Sequence, residues 1–394
     1  MRTFLLIACL AGAGAASAQS IADLALASPP EFAADGLLRL LESAALTDPK
    51  ASAAIAQQAF DLASSAQFRV PLTALPNLPA DTREGSLARA YALKLDALSL
   101  QSRAIVAMAA IHPAQAREMF RSMTKPELPP LACQDALAYD VAAPYRALTV
   151  VLTGFTAKER AREDHVSFLF ESISQIHSSA QLAPMDAVIQ SANLTPQQKE
   201  AVVARFNGQM QAFAAAKNAS EKRCDAEPKT QPYWESAAAQ RLMASARQLR
   251  FGPANSKVLS DSERGASEWT QQLEDFDKEL AAWEPASEKS EMVYYQQKCI
   301  VYQALVELIP PGPRRDRAMQ SFARFVAGSN LQSQSRVEWF FPVAAMLERV
   351  RNTNNGEPAK LLAALADSGN SVLALCAAQE RFNDRRLPLW VSAP

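Results

Sequence analysis

Apolar residues recur at three- and four-residue intervals from one end of this 394-residue chain to the other. Ala34, Leu37, Leu38, Leu41 and Ala45 share one face at that spacing, the mark of a helix with one buried side. Ile55, Ala59, Leu62 and Ala66 predict a second helix, and the stretch from Ala104 to Ala110 a third. After His112-Pro113 the pattern resumes from Ala116 to Met123. Two longer seams flank a break at Glu284-Pro285: Trp269, Leu273, Phe276, Leu280, Trp283, and then Met292, Tyr295, Cys299, Tyr302, Val306, Ile309. They predict an antiparallel hairpin whose seams face each other.

Local punctuation agrees with the periodicity. Asp48-Pro49 combines a capping side chain with a proline at the first helical position. Capping boxes are expected at Asp81/Glu84, Thr156/Glu159, Thr195/Gln198 and Ser335/Glu338. No run of alternating Val, Ile or Thr is bounded by turn residues, so the sheet content should be close to zero. The fold class expected is all-α. Only 12 glycines occur, which leaves little backbone for tight turns or phosphate-cradling loops.

Breaks in the pattern divide the chain. The polar stretch 216–231 reads as a linker between an N-terminal helical lobe, 19–215, and a C-terminal one, 232–394. All five tryptophans, Trp234 to Trp390, lie beyond that linker. A second polar, serine-rich break spans 252–265, and Pro310 to Pro313 reads as a corner between helices.

Residues 1–18 read as a signal peptide: Arg2, an apolar run from Phe4 to Ala13, and the small-x-small site Ala16-Ser17-Ala18 before Gln19. The rival lipobox reading of Leu6-Ile7-Ala8-Cys9 has only five apolar residues before its cysteine. Export to the periplasm or the outside of the cell is the expectation. No later segment offers the roughly 20 apolar residues a membrane span needs.

Export changes how the cysteines read. Four remain after the leader, and an even number outside the cytosol permits disulfides. Cys133 and Cys224 both occupy loop settings, which predicts a Cys133–Cys224 bridge stabilising by about 4–5 kcal/mol through a loop of about 90 residues. Cys299 and Cys376 lie on apolar helix faces and read as buried thiols. No Cys-x-x-Cys occurs, so no zinc site is expected. With 40 basic against 41 acidic residues there is no basic field for nucleic acid.

Three helices share Ala-x-x-x-Phe: Ala56 to Phe60, Ala116 to Phe120 and Ala318 to Phe322, the first continuing to Ala63. That fragment resembles the second helix of a tetratricopeptide repeat, where a small residue admits a close neighbour and phenylalanine fills the hairpin. The resemblance covers about 80 residues in three pieces. The corners at Pro49 and Pro113 are 64 residues apart, and the Trp-x2-Leu-Gly-x2-Tyr string is absent. The resemblance implies stacked helical hairpins and carries over no binding residue. Two architectures stay open, an irregular, α-solenoid-like hairpin array and a multi-helix bundle.

Candidate chemistry is sparse. His112, His165 and His177 are the only histidines; His112 reads as a helix boundary, the other two as members of a solvated charged face. Ser122-Met123-Thr124-Lys125 matches the Ser-x-x-Lys string of penicillin-recognising enzymes, but this serine closes a helix where theirs opens one. Phe170-Glu171-Ser172 resembles the Glu-Ser pair of lytic transglycosylases without the glycine-rich stretch that should follow. Trp339, Phe340 and Phe341 read as core anchors behind the capping Glu338. Arg314, Arg315, Arg317, Arg385 and Arg386 read as solvated helix ends. No cofactor, metal or catalytic motif emerges.

Two functions follow. A helical scaffold would bind a protein or peptide. A cell-envelope hydrolase or lyase would instead need a buried carboxylate in a cleft, with Glu171 and Glu163 the candidates. An apolar ligand pocket between helices is a third reading.

Overall fold

The computed structural model describes residues 21–43, 46, 48–74, 82–123, 128, 137–217, 237–251, 266–284, 290–352 and 358–382. Residues 1–18, Cys133, Cys224, Asp81, Arg385 and Arg386 lie outside that set, and with them the leader, the expected bridge and one capping box. The chain is all-α, with one addition. Two three-residue strands pair antiparallel, Leu72 opposite Tyr139 and Ala74 opposite Leu137. Three residues are too few to show an alternating pattern, so nothing in the sequence marked them.

Two compact units divide the chain: Met1–Leu78 with Lys94–Thr230, and Pro79–Leu93 with Gln231–Pro394. The short segment 79–93 falls inside the lobe expected at 19–215, yet it groups with the C-terminal half.

The first unit begins with α1 (Pro30–Glu42) and α2 (Pro49–Ala63). Asp48 caps α2 as expected, accepting from the Lys50 and Ala51 N–H groups at 3.1 Å each. The buried stripe of α2 is Ala53, Ala56, Ala59, Phe60 and Ala63, whereas Ile55 and Leu62 stay half-buried. Helix α2 packs against two neighbours, α1 and a later helix at 97–109, and small side chains let those backbones approach. Strand β1 (Leu72–Ala74) follows.

Helix α3 (Arg83–Tyr91) belongs to the second unit. Its cap is Thr82, whose hydroxyl accepts from the Gly85 N–H. The chain returns through Lys94, in left-handed backbone, which pairs with Asp140. Helix α4 (Ala97–Ala109) is the hub of the first unit and touches α1, α2 and its two successors. Its N–H groups are satisfied by Asp96 through Ser99 at 2.8 Å and by the Phe68 and Arg69 carbonyls.

Helix α5 (Pro113–Ser122) starts at the boundary read at His112. Strand β2 (Leu137–Tyr139) precedes α6 (Ala142–Thr153), α7 (Ala157–Ala161), α8 (Asp164–Ser174), α9 (Leu182–Ser191) and α10 (Pro196–Lys217). Two expected capping boxes are reciprocal: Thr156 with Glu159, and Thr195 with Gln198.

The second unit comprises α3, α11 (Ala237–Phe251), α12 (Ala266–Ala282), α13 (Glu291–Leu308), α14 (Pro313–Ala327), α15 (Arg336–Asn352), α16 (Pro358–Ala366) and α17 (Ser371–Phe382). Helix α13 is buried around most of its circumference and packs on α11, α14 and α15. The hairpin expected of α12 and α13 is therefore not the principal pairing. Tyr295, Cys299, Tyr302 and Val306 are buried as expected. An all-round buried helix has several partners, and a 3–4 spacing does not say which one a seam faces.

Pro342 sits inside α15 and opens the helical ladder there. Polar side chains of α13 bond to carbonyls of that turn: Tyr295 Oη donates to the Trp339 carbonyl at 2.6 Å, and Gln303 to the Pro342 carbonyl at 3.2 Å. Trp339 is fully buried, and its indole N–H donates to the Val326 carbonyl at the end of α14. Cys299 and Cys376 are buried free thiols, as read from the sequence.

Candidate functional site

The first turns of α13 and the last turn of α14 converge on a cleft in the second unit. Ser290 caps α13, accepting from the Val293 N–H, and so fixes where Glu291, Tyr294 and Tyr295 begin. Gly328 ends α14, its N–H bonded to the Arg324 carbonyl at 3.0 Å. A side chain there would crowd that same carbonyl at 3.3 Å. The chain then makes a short 3₁₀ turn, Asn330–Ser333, held by the Ser329 hydroxyl accepting from the Leu331 N–H. The space enclosed is about 320 Å³. That is the lower end of the range for small-molecule sites, roughly 300–1,000 Å³.

Its walls are aromatic and its rim is charged. Tyr295 and Phe325 stack at 5.6 Å between ring centroids, and Tyr294 meets Phe325 edge-on at 6.1 Å. Glu291 and Arg324 are exposed at the opening and offer one charge of each sign.

Behind two of these walls lies Lys298, only 6% exposed. Its Nζ donates to the Trp283 carbonyl at 2.8 Å and to Tyr294 Oη at 3.1 Å. Tyr294 Oη in turn donates to the same Trp283 carbonyl. The ammonium stands 5.2 Å from the Phe325 centroid and 5.5 Å from that of Tyr294, within cation–π reach of both. Burial pulls the amine below the usual lysine range, and the Glu284 carboxylate draws it partly back. Burial pushes the neighbouring Cys299 thiol and Tyr295 phenol up, which keeps both neutral.

The residues singled out from sequence are scattered. Glu171 is exposed on α8 and pairs with Arg121. Glu163 is exposed too and accepts from the Gln198 amide. His177 is exposed, as expected of a solvated face. His165 corrects that expectation: it is 4% exposed, packed against Phe155 at 6.2 Å. Burial and the nearby Arg160 hold its imidazole below the usual range, against the pull of Glu163 and Asp164. Ser122 closes α5 and donates to the Met119 carbonyl. Trp339 and Phe340 are core, as read. Arg315 is buried, against the expectation of a solvated helix end, while Arg317 is exposed.

Among the described residues, no three His, Cys, Asp or Glu side chains are grouped to hold a metal ion. None of the described helices is long and apolar enough to cross a membrane. No protein-family model, curated protein or solved structure matches the chain.

Sequence reasoning missed Lys298. The signal was available: position 298 is four residues after Tyr294 and three after Tyr295, one before Cys299, inside an apolar seam. A lysine there is either at the seam's edge or buried, and only packing decides between the two.

Proposed function

We propose that the protein is an exported, non-enzymatic helical scaffold that binds a protein or peptide, with the cleft beside α13 receiving an aromatic group of the partner. The cleft itself is the observation that carries this reading. It presents stacked rings in a depression wide enough for one large side chain, with Glu291 and Arg324 placed to meet polar groups around it. Aromatic anchors in such depressions supply most of the energy of many interfaces. Export rests on the leader pattern ending at Ala18 and on nothing further along the chain.

The hydrolase reading has less support at its two candidate acids. A general acid needs burial to raise its carboxyl, and Glu171 and Glu163 both stand in solvent. Three buried carboxylates are engaged in the fold: Asp35 and Glu380 in ion pairs and Asp96 at a helix cap.

Peptide display on the purified protein tests the scaffold reading. Sequences carrying an aromatic residue should be enriched, and Phe325→Ala should weaken the selected peptides at least tenfold. Enrichment no better than on an unrelated helical protein, or equal binding by Phe325→Ala, would end it.

A further inference from the structure

The two charged residues at the mouth of the cleft each have a local reason to be there. Glu291 lies in the first turn of α13 and Arg324 in the last turn of α14, where each complements its own helix dipole. The dipoles do not explain why both side chains open onto one cavity. Among the described residues neither joins an ion pair, and Arg324 Nη2 donates only to the Ser321 hydroxyl, at 3.3 Å. The carboxylate and the guanidinium are exposed and line the same space without neutralising each other. Size then restricts what can answer both at once. At about 320 Å³ the cleft admits one ring-bearing residue against the walls formed by Tyr294, Tyr295 and Phe325. An aromatic residue inside a peptide offers neutral amides on its α-carbon, and these bring no opposite charge to either rim residue. A free aromatic amino acid carries an ammonium and a carboxylate on that same carbon.

We infer that the cleft takes a free aromatic amino acid in its zwitterionic form, with the ring against Phe325 and Tyr295, the α-ammonium on Glu291 and the α-carboxylate on Arg324. The inference rests on the cleft being a site for aromatic groups, as proposed above, and adds a small ligand that competes with the partner for it. Charge-assisted hydrogen bonds are the stronger kind, and a site that offers both charges discriminates against an analogue lacking either one. Glu291 and Arg324 are exposed, which limits each contact to about a fivefold effect on affinity.

Ligand-detected NMR titration of the full-length protein tests this with four compounds: phenylalanine, hydrocinnamate, phenethylamine and N-acetyl-phenylalaninamide. They carry the same ring with both charges, the carboxylate alone, the ammonium alone and neither. Phenylalanine should bind most tightly, each singly charged analogue about fivefold more weakly, and the neutral amide most weakly of all. Glu291→Gln should bring phenylalanine down to the level of hydrocinnamate while leaving hydrocinnamate unchanged. Arg324→Gln should bring it down to the level of phenethylamine and leave phenethylamine unchanged. A distorted cleft would weaken all four compounds together, so the crossed pattern reports contact alone. Phenylalanine should also displace an aromatic peptide selected by display. Equal binding of phenylalanine and the neutral amide, or variants that weaken all four compounds alike, would overturn the inference and leave the aromatic cleft standing. If neither the four compounds nor any displayed aromatic peptide engages the cleft, both readings fall.

Discussion

A buried carboxylate of the first unit and a buried amine of the second are held in opposite ways. In the first, Asp35 on α1 is 1% exposed and accepts from Arg39 Nε and from Arg103 Nη1, each at 2.6 Å. Arg103, on α4, also forks onto Glu42 at 2.9 and 3.0 Å. Burial alone would raise the Asp35 carboxyl, yet the two guanidiniums hold it below the usual range. In the second unit, Lys298 is buried among rings and neutral oxygens. The first arrangement is an ionic clasp between helices, in which each charge needs its partners. The second is an amine among rings that bonds two neutral oxygens, with the Glu284 carboxylate as its opposing charge.

The largest effect that would sharpen this contrast is Asp35→Ala. It removes the carboxylate that accepts from Arg39 in the interior and takes away one of the three bonds of Arg103, and should cost about 3–5 kcal/mol in urea unfolding. A loss under 1 kcal/mol would mean that solvent reaches the clasp and that the contrast is overstated.

A pH series probes the same unit next. Burial pushes the Asp96 carboxyl up to about 6, against its bonds from Ser99. A folded-state value above the unfolded one means the proton stabilises the fold. That contribution is complete below pH 3.8 and is lost as pH rises through about 6. A rise from 3.8 to about 6 is worth about 3 kcal/mol. Asp96→Asn, which still caps α4, should flatten the stability profile between these limits, and an unchanged profile would exclude Asp96 as its source. His165 works in the other sense: its lowered value stabilises above pH 6.5 and is lost on acidification.

The smallest effect expected is the most telling about the second unit. Lys298→Met keeps the stem, removes the charge and leaves Tyr294 on the Trp283 carbonyl. Stability should stay within about 1 kcal/mol of the parent, because an apolar isostere replaces a buried ion without stranding another. A loss comparable to that of Asp35→Ala would make Lys298 a structural cap and erase the distinction.

Much of the helical architecture was legible. Asp48-Pro49, Thr156/Glu159 and Thr195/Gln198 were readable because a cap and its helix lie within four residues of each other. Ala56, Phe60 and Ala63 carry the repeat resemblance, and they form the buried stripe of α2. Ile55 and Leu62 do not belong to that stripe, although both sets have helical spacing. Only neighbours that approach closely favour the smaller residues. His165 and Arg315 depart from expectation for a related reason: a polar side chain on an amphipathic helix looks solvated until a second element covers it.

What the sequence determined alone is therefore what short-range physics determines: that these residues coil, where many helices start, and which thiols sit on apolar faces. Tertiary structure decided the rest. It placed α3 with the C-terminal unit, surrounded α13 with three helices, paired two three-residue strands and carried Lys298 beneath the rings of a cleft. Those outcomes turn on contacts between segments far apart in the chain. Their free energy comes from the surface two elements exclude from water together, which neither element encodes by itself.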